Sequence, residues 1–147
     1  MEVKLAGIAD LPKIIPTMQR LRPHLSPEEM TSMISDMFKD GYQLVYVGDE
    51  SMAYAVAGFR IITFLYSGKT LYIDDLVTHK EHQRQGYAGT LLSWLKKYAQ
   101  EQQLDYFSLD SGFQRRDAHR LYLNQGLELD AFHFGVSMNV LKERNKI

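Results

Sequence analysis

One short segment of the chain joins small residues to the expected start of a helix, a combination that suits a phosphate group. The strand-like run Leu71–Thr78 leads through a polar loop to an amphipathic helix that begins near Gly86. The first backbone N–H groups of a helix have no partners inside it and carry partial positive charge. Small residues at Ala88 and Gly89 would let a diphosphate come close to that backbone, and Arg84 adds charge at its rim. The pattern therefore predicts a phosphate-binding turn, with a turn kept small for tight packing as the alternative.

Two common phosphate-binding motifs are missing from the sequence. There is no G-x-x-x-x-G-K-[ST], and the dinucleotide fingerprint G-x-G-x-x-G is also absent. Their absence favours a phosphate-bearing cofactor other than ATP or NAD.

The composition limits the remaining classes of function. The chain has 147 residues, about one domain, with 17 Lys and Arg against 18 Asp and Glu. A nucleic-acid partner is not expected from this balance, since such proteins are usually basic. No run approaches the ~20 apolar residues of a membrane span, and no secretory signal opens the chain, so a cytoplasmic protein without a membrane partner is expected. The absence of cysteine excludes thiol nucleophiles and thiolate metal sites.

The elements that must hold the turn form one predicted α+β domain. Apolar spacing and capping signals predict this order along the chain: a strand Val3–Ile8, a helix capped by Asp10, a helix capped by Ser26, strands Tyr42–Val47, Ala53–Tyr66 and Leu71–Thr78, a helix Gly86–Gln102, a strand Asp105–Asp110, a helix Arg116–Asn124, and one or two closing strands in Leu127–Val140. The helix between the strands Leu71–Thr78 and Asp105–Asp110 predicts that those two strands run parallel.

The turn and its strand resemble a known family. The run Gln83-x-x-Gly86-x-Ala88, after a strand ending in 75–78, is similar to the acyl-CoA signature of the GNAT superfamily of N-acetyltransferases. The order of elements is similar over nearly the whole chain.

A second motif of the same family follows in the expected place. Ala118-x-x-x-Tyr122-x-x-x-Gly126 lies on the helix after the next strand, and the chain has Arg115 where many members carry asparagine. Two motifs in the right order make the resemblance more specific than either motif alone.

The resemblance implies a fold and an activity. The expected fold is a GNAT-like mixed central sheet of about six to seven strands flanked by about four helices, with residues 1–147 forming a single acyl-CoA N-acyltransferase domain. The implied activity is direct transfer of an acetyl group from acetyl-CoA, without a metal, to a primary amine of a small molecule or peptide. A homodimer is an open option, and a catalytically silent acyl-CoA-binding regulatory module is the alternative function.

The resemblance also implies where the cofactor binds. The pantetheine arm would bond to the backbone of Leu76, Val77 and Thr78, and the diphosphate would lie on the turn formed by Gln83, Arg84, Gln85, Gly86, Tyr87, Ala88, Gly89 and Thr90. A backbone N–H, that of Val77 for example, would stabilise the developing oxyanion.

Three residues are candidates for proton transfer. The family match suggests Tyr122 as the group that protonates the departing thiolate, with simple inward packing as the alternative. Asp74 and Asp75 lie on the strand that reaches the reaction centre, and strand alternation predicts opposite faces for them. Asp74 shares the more polar face and is the favoured base or acceptor contact, while a structural role is equally open for either carboxylate.

Three further residues are candidate acceptor contacts. Arg22 and His24 lie between the first two helices, a region that shapes the acceptor pocket in the family. His133, among aromatic residues, could act as a base or an acceptor contact, although a structural histidine is the more common outcome. No metal is expected, because His79 and His82 lack supporting carboxylates.

Overall fold

The computed structural model describes residues 1–144, so the last three residues of the predicted domain lie outside it. Its strands are β1 (Lys4–Leu5), β2 (Gln43–Gly48), β3 (Ala53–Phe64), β4 (Gly68–Thr78) and β5 (Tyr106–Leu109). Its α-helices are α1 (Leu11–Leu21), α2 (Pro27–Lys39), α3 (Tyr87–Glu101), α4 (Arg116–Asn124) and α5 (Met138–Glu143). Short 3₁₀ turns occur at Ile8–Asp10 and Lys80–His82. None of these helices is long and apolar enough to cross a bilayer.

The helices lie on both faces of one five-stranded sheet with the order β1-β2-β3-β4-β5. On one face, α1 and α2 bury Ile14, Met30 and Leu44. On the other face, Leu91 and Leu95 of α3 pack with alternate strand residues, and α4 adds partly buried side chains. The α+β class is therefore confirmed, because two apolar clusters sandwich a single mixed sheet.

The predicted N-terminal cap is confirmed for α2, whereas the predicted cap of α1 makes a different hydrogen bond. The Ser26 hydroxyl accepts a hydrogen bond from the Glu29 N–H, and the Glu29 carboxylate accepts one from the Ser26 N–H, which makes a complete capping box. Asp10 stands at the N-cap of α1, but its carboxylate accepts instead from the N–H of Gly7 at 2.9 Å. It therefore closes the preceding 3₁₀ turn rather than the helix.

The parallel pairing of β4 and β5 is confirmed and is short. It runs from Thr70 opposite Tyr106 to Ile73 opposite Leu109, whereas β4 continues to Thr78. Beyond Ile73 the two strands part, and the edge of β4 that faces β5 loses its strand partner. This separation creates the cleft that the site occupies.

A β-bulge in β4 changes the face of one acidic residue. Gly58 pairs with Asp75 and Phe59 pairs with Ile73, so Asp74 is the extra residue. As a result Ile73 packs on the α3 face and Val77 on the α1–α2 face, although strict alternation would place them together. The prediction that Asp74 and Asp75 point to opposite faces was wrong, because the bulge turns both carboxylates toward the α1–α2 side.

The number of elements differs from the expected one. The described chain has five strands rather than six to seven and five α-helices rather than four. The closing strands predicted in Leu127–Val140 are not formed. Residues 128–137 take up no regular structure, and α5 follows. The alternating pattern there was real, but no strand of residues 1–144 pairs with this stretch, so no ladder forms.

Candidate active site

The parting of β4 and β5 opens a cavity of about 220 Å³. Its walls come from β4, from the end of β5 with the loop that follows, from α4 and from the end of α1. They include Asp75 and Leu76 on one side and Leu109, Gly112 and Tyr122 on the other. A cavity between separated strands exposes backbone donors and acceptors that the sheet itself does not use.

The free backbone groups along this cleft follow from the ladder between β3 and β4. The N–H of His79 donates to the carbonyl of Tyr54 at 2.6 Å, so His79 directs its main-chain groups toward β3. Alternation in an antiparallel ladder then directs Val77 toward β3 as well, and directs Leu76 and Thr78 toward the cleft. Leu76 therefore presents its backbone to the cavity. The carbonyl of Thr78 already accepts from Nη1 of Arg20 at 2.7 Å, which ties the end of β4 to α1.

The predicted phosphate-binding turn lies beyond that end of β4. Gly86 is the N-cap of α3 with φ +83°, a left-handed conformation that glycine adopts without strain. The first hydrogen bond at this end of α3 joins the Thr90 N–H to the Gly86 carbonyl, so the N–H groups of 87–89 have no partner in the helix. Arg84 also has a positive φ, of 62°. The turn thus offers a set of backbone donors with no capping side chain in the way.

Aromatic stacking holds the turn in place. The ring of His82 lies 4.0 Å from that of Tyr54 at an interplanar angle of 10°, and Tyr54 also meets Tyr87 at 5.4 Å. Nδ1 of His79 accepts from the Glu81 N–H. The two histidines therefore support the loop, and residues 1–144 contain no group of three potential metal ligands.

Tyr122 enters the cleft from α4. It packs partly against the α3 core, and burial raises the pKa of its phenol above the ordinary 10.0 while Arg115 acts in the opposite direction. Within the described residues its hydroxyl has no hydrogen-bond partner in the protein, so it is free to bond a ligand. Arg115 lines the same cavity. It was noticed in the sequence only as a departure from the family pattern, and its charge could have been read as a contribution to the site.

A second cavity of about 370 Å³ lies between the helices α1 and α2 and the strand β4. Its wall is largely apolar and includes Met30, Met33 and Met37, the methionine stripe of α2. Asp74, Asp75 and Arg22 line both cavities. The two cavities therefore meet at these three side chains, where a donor in one would face an acceptor in the other.

Asp75 is held firmly at this junction. Nη2 of Arg22 lies 2.8 Å from Oδ1 of Asp75, and the hydroxyl of Tyr42 donates to Oδ2 at 2.6 Å. Burial raises the pKa of Tyr42 well above its usual value, so the phenol stays protonated. Gly58 makes this possible, because a Cβ there would lie 1.8 Å from the Tyr42 hydroxyl oxygen. Sequence reasoning missed Tyr42, and only the glycine within a strand pattern signalled a close approach.

The carboxylate of Asp74 pairs with Arg60. Its two oxygens face Nε and Nη2 of Arg60 at 3.1 and 2.9 Å, and the Arg60 guanidinium lies 5.4 Å from the centre of the Tyr42 ring. Burial raises the pKa of Asp74 above 3.8, and Arg60 offsets part of that rise. A carboxylate with a raised pKa accepts a proton more readily, which suits a base.

The predicted acceptor contacts divide into two groups. Arg22 and His24 both line the second cavity. His133 is exposed and lines neither cavity, although its Nδ1 lies 3.4 Å from Oδ2 of Asp110, which lines the first cavity. The structure thus brings Arg22 to the carboxylates and leaves His133 outside.

Comparison with known proteins identifies the family of this chain. Residues 12–127 match the model of the acetyltransferase (GNAT) family. The chain belongs to the GNAT family. It is also 31% identical over 121 residues to a Bacillus subtilis (strain 168) protein described as the uncharacterized N-acetyltransferase YhdJ, covering 81% of this chain and 85% of that protein. The chain is accordingly an N-acetyltransferase.

Solved structures share the fold of this GNAT chain. A ribosomal-protein-alanine N-acetyltransferase from Brucella melitensis biovar Abortus 2308 matches with a TM-score of 0.79 at 14% identity, over 94% of this chain and 100% of that one. The aminoglycoside N-acetyltransferase AAC(6')-Iy in complex with CoA matches with a TM-score of 0.80 at 10% identity, over 93% and 94%. At these identities the likeness shows the fold alone.

Proposed function

We propose that the chain transfers an acetyl group from acetyl-CoA directly to a primary amine of a small molecule or peptide. One observation carries this proposal. A cleft with free backbone donors meets a second cavity at Arg22, Asp74 and Asp75. The donor would occupy the cleft between β4 and β5, and the acceptor would occupy the cavity beside α2.

The cofactor fits what the cleft offers. The pantetheine arm would bond to the free backbone edge of β4, with Leu76 as the central residue. The diphosphate would lie on the turn 83–90, where the N–H groups of 87–89 have no helix partner. The CoA complex of the aminoglycoside enzyme with the same fold supports this choice of donor.

The reaction is a single displacement. The amine nitrogen forms a bond to the acetyl carbon, the C–S bond breaks, and CoA leaves as a thiolate. The Leu76 N–H stabilises the carbonyl oxygen as it becomes an oxyanion, in place of the Val77 N–H expected from the sequence, because Val77 is directed toward β3. The chain has no cysteine, so no acyl-cysteine intermediate is involved.

Two protons must move during this displacement. Tyr122 gives its proton to the thiolate, and its pKa, raised by burial, keeps the phenol protonated at neutral pH. The attacking amine loses a proton to Asp74, directly or through one water, and the carboxyl group becomes neutral. The Arg60 guanidinium holds the carboxylate in place before the transfer. Asp75, held between Arg22 and Tyr42, orients the acceptor side of the junction.

Isothermal titration with acetyl-CoA, CoA and ATP tests the donor site. We expect micromolar binding of the two CoA species and none of ATP, followed by thiol release when amine acceptors are screened. Failure of both CoA species to bind would refute the donor site. Binding without thiol release, for any amine tested, would instead favour the catalytically silent acyl-CoA-binding module.

A further inference from the structure

The second cavity takes its apolar wall mainly from α2. Residues 27–39, which form this helix, line the cavity with four apolar side chains: Met30, Met33, Ile34 and Met37. Met30 and Ile34 are buried in the core, whereas Met33 is 48% exposed, so the wall extends to the protein surface. The cavity volume of about 370 Å³ lies within the roughly 300–1,000 Å³ of small-molecule pockets. A small molecule with an apolar surface therefore fits this space.

The charged groups of the second cavity lie at its junction with the donor cleft. Asp74, Asp75 and Arg22 line both cavities. Among residues 1–144, no other carboxylate lines the second cavity. Its remaining polar groups are the His24 ring and two phenols, and a phenol is uncharged at neutral pH. A positive group bound away from the junction would therefore have no anionic partner.

Both carboxylates at the junction already have a cationic partner. Nη2 of Arg22 lies 2.8 Å from Oδ1 of Asp75, and Nη2 of Arg60 lies 2.9 Å from Oδ2 of Asp74. Two carboxylates and two guanidinium groups together carry no net charge, so a cationic substrate gains little long-range attraction here. An amine must also be neutral when it attacks the acetyl carbon. Most of the binding energy for the acceptor must therefore come from apolar contact with α2.

We propose that the acceptor is a lipophilic primary monoamine, a small molecule with one amino group and an uncharged alkyl or aryl body. This inference rests on the proposed function, because it assigns the acceptor of the same site. The amino group lies at Asp74 and faces the donor cleft, and the body lies against the methionines of α2. Methionine side chains are flexible and polarizable, so this wall adapts to alkyl and aryl bodies alike.

The same wall discriminates against polar amines. A second ammonium group or a sugar hydroxyl would lose its water against the methionines without gaining a hydrogen bond, which costs binding energy. Hexylamine and 1,5-diaminopentane make the comparison direct, because they have the same number of non-hydrogen atoms. They differ only in the group at the far end, which is a methyl group in one and an ammonium group in the other.

Thiol release from acetyl-CoA and equilibrium titration of the CoA-bound protein are measured for propylamine, hexylamine, 1,5-diaminopentane, glucosamine and tri-alanine. Each buried methylene group contributes about fourfold, so hexylamine should exceed propylamine about 60-fold in kcat/KM. Hexylamine should exceed 1,5-diaminopentane at least ~30-fold, because the far ammonium group has no partner. The dissociation constants should follow the same order.

The two readouts separate this inference from the proposed function. Use of 1,5-diaminopentane, glucosamine or tri-alanine as good as that of hexylamine would overturn the acceptor class and leave the acetyltransferase function intact. Thiol release with none of the amines would refute the proposed function, and the titration would still decide the inference. Tighter binding of hexylamine than of 1,5-diaminopentane would then support the apolar acceptor cavity, whereas equal binding, or none, would overturn it.

Met33→Glu tests the apolar wall itself. Because Met33 is half-exposed on α2, a glutamate there should leave the fold intact while it places a carboxylate on the wall. The preference for hexylamine over 1,5-diaminopentane should fall at least ~10-fold. The matched control is Ser32→Glu, which adds the same charge at the next residue of the helix, is exposed and lines neither cavity. It should change the preference by less than ~2-fold.

An unchanged preference in Met33→Glu, or an equal change in Ser32→Glu, would overturn the role of the wall. If Met33→Glu does not fold, the comparison of hexylamine with 1,5-diaminopentane on the wild-type protein decides the acceptor class without it.

Discussion

Replacing Tyr122 by phenylalanine removes one oxygen atom from the cleft and little else. The ring packs partly against the α3 core, while its hydroxyl has no hydrogen-bond partner among residues 1–144. The unfolding free energy should therefore change by less than ~1 kcal/mol, because no protein group is left unsatisfied. CoA affinity should also hold, because the proposed donor contacts are backbone groups of β4 and of the turn 83–90.

The turnover rate of Tyr122→Phe, unlike its stability and its CoA affinity, should fall. General acid catalysis by a positioned side chain contributes about 10²–10⁴-fold, which corresponds to roughly 2.7–5.4 kcal/mol of barrier. A phenol with a pKa near ~10 is a weaker acid than a thiol near ~8.5. The contribution of Tyr122 to the rate therefore depends on the exclusion of water from the cleft around it. We expect kcat to fall by about this factor with the CoA dissociation constant unchanged.

The assay follows thiol release and CoA titration in parallel for Tyr122→Phe and for Tyr98→Phe. Tyr98 is also partly buried in the α3 cluster, but it lines neither cavity. A kcat within ~3-fold of wild type for Tyr122→Phe would refute the role of the phenol. Equal losses in both variants, together with a lower Tm, would show that Tyr122 serves packing instead. Because burial raises the pKa of Tyr122 above 10.0, wild-type kcat should not fall from phenol ionisation between pH 7 and about 9.

Three further predictions concern the junction and the turn. Asp74→Asn should lower kcat/KM by about 10²–10⁴-fold and remove the acidic limb of its pH profile, which in wild type should lie above 3.8 because burial raises the Asp74 pKa; a limb that persists in the variant contradicts this role. Gly58→Ala should cost about 1–3 kcal/mol by displacing the Tyr42 hydroxyl. This is seen as a Tm lower by roughly 2–12 °C, whereas Gly7→Ala, where a Cβ meets nothing within 4 Å, should leave Tm unchanged. Arg84→Gly should raise stability by up to ~1 kcal/mol by relieving a φ of 62°, measured by urea unfolding, and a lower midpoint would argue against strain there.

The sequence predicted most elements because local signals and tertiary packing agree in them. Ser26, Pro27 and Glu29 all mark the start of α2, and its apolar spacing matches the face that is buried. Gly86 marks the start of α3 for the same reason, since a left-handed residue there both ends the loop and leaves the helix end free. The cofactor turn could therefore be located from residue types alone, while the cleft beside it depends on where β4 and β5 stop pairing.

The wrong predictions share one cause. The alternation of side chains along a strand does not show how that strand pairs with its neighbours. Strict strand alternation assigned Asp74 and Asp75 to opposite faces. The β-bulge opposite Gly58 and Phe59 adds one residue and interrupts that alternation. The bulge matters for the proposed mechanism, because both carboxylates then line the same acceptor cavity and can take different roles there. Asp75 is fixed by Arg22 and Tyr42, whereas Asp74 keeps a raised pKa. In the C-terminal segment the side chains alternate as predicted, yet no strand of residues 1–144 pairs with the segment, so no ladder forms. Alternation along one segment therefore predicts which side chains would share a face, but it does not decide whether the segment forms a strand.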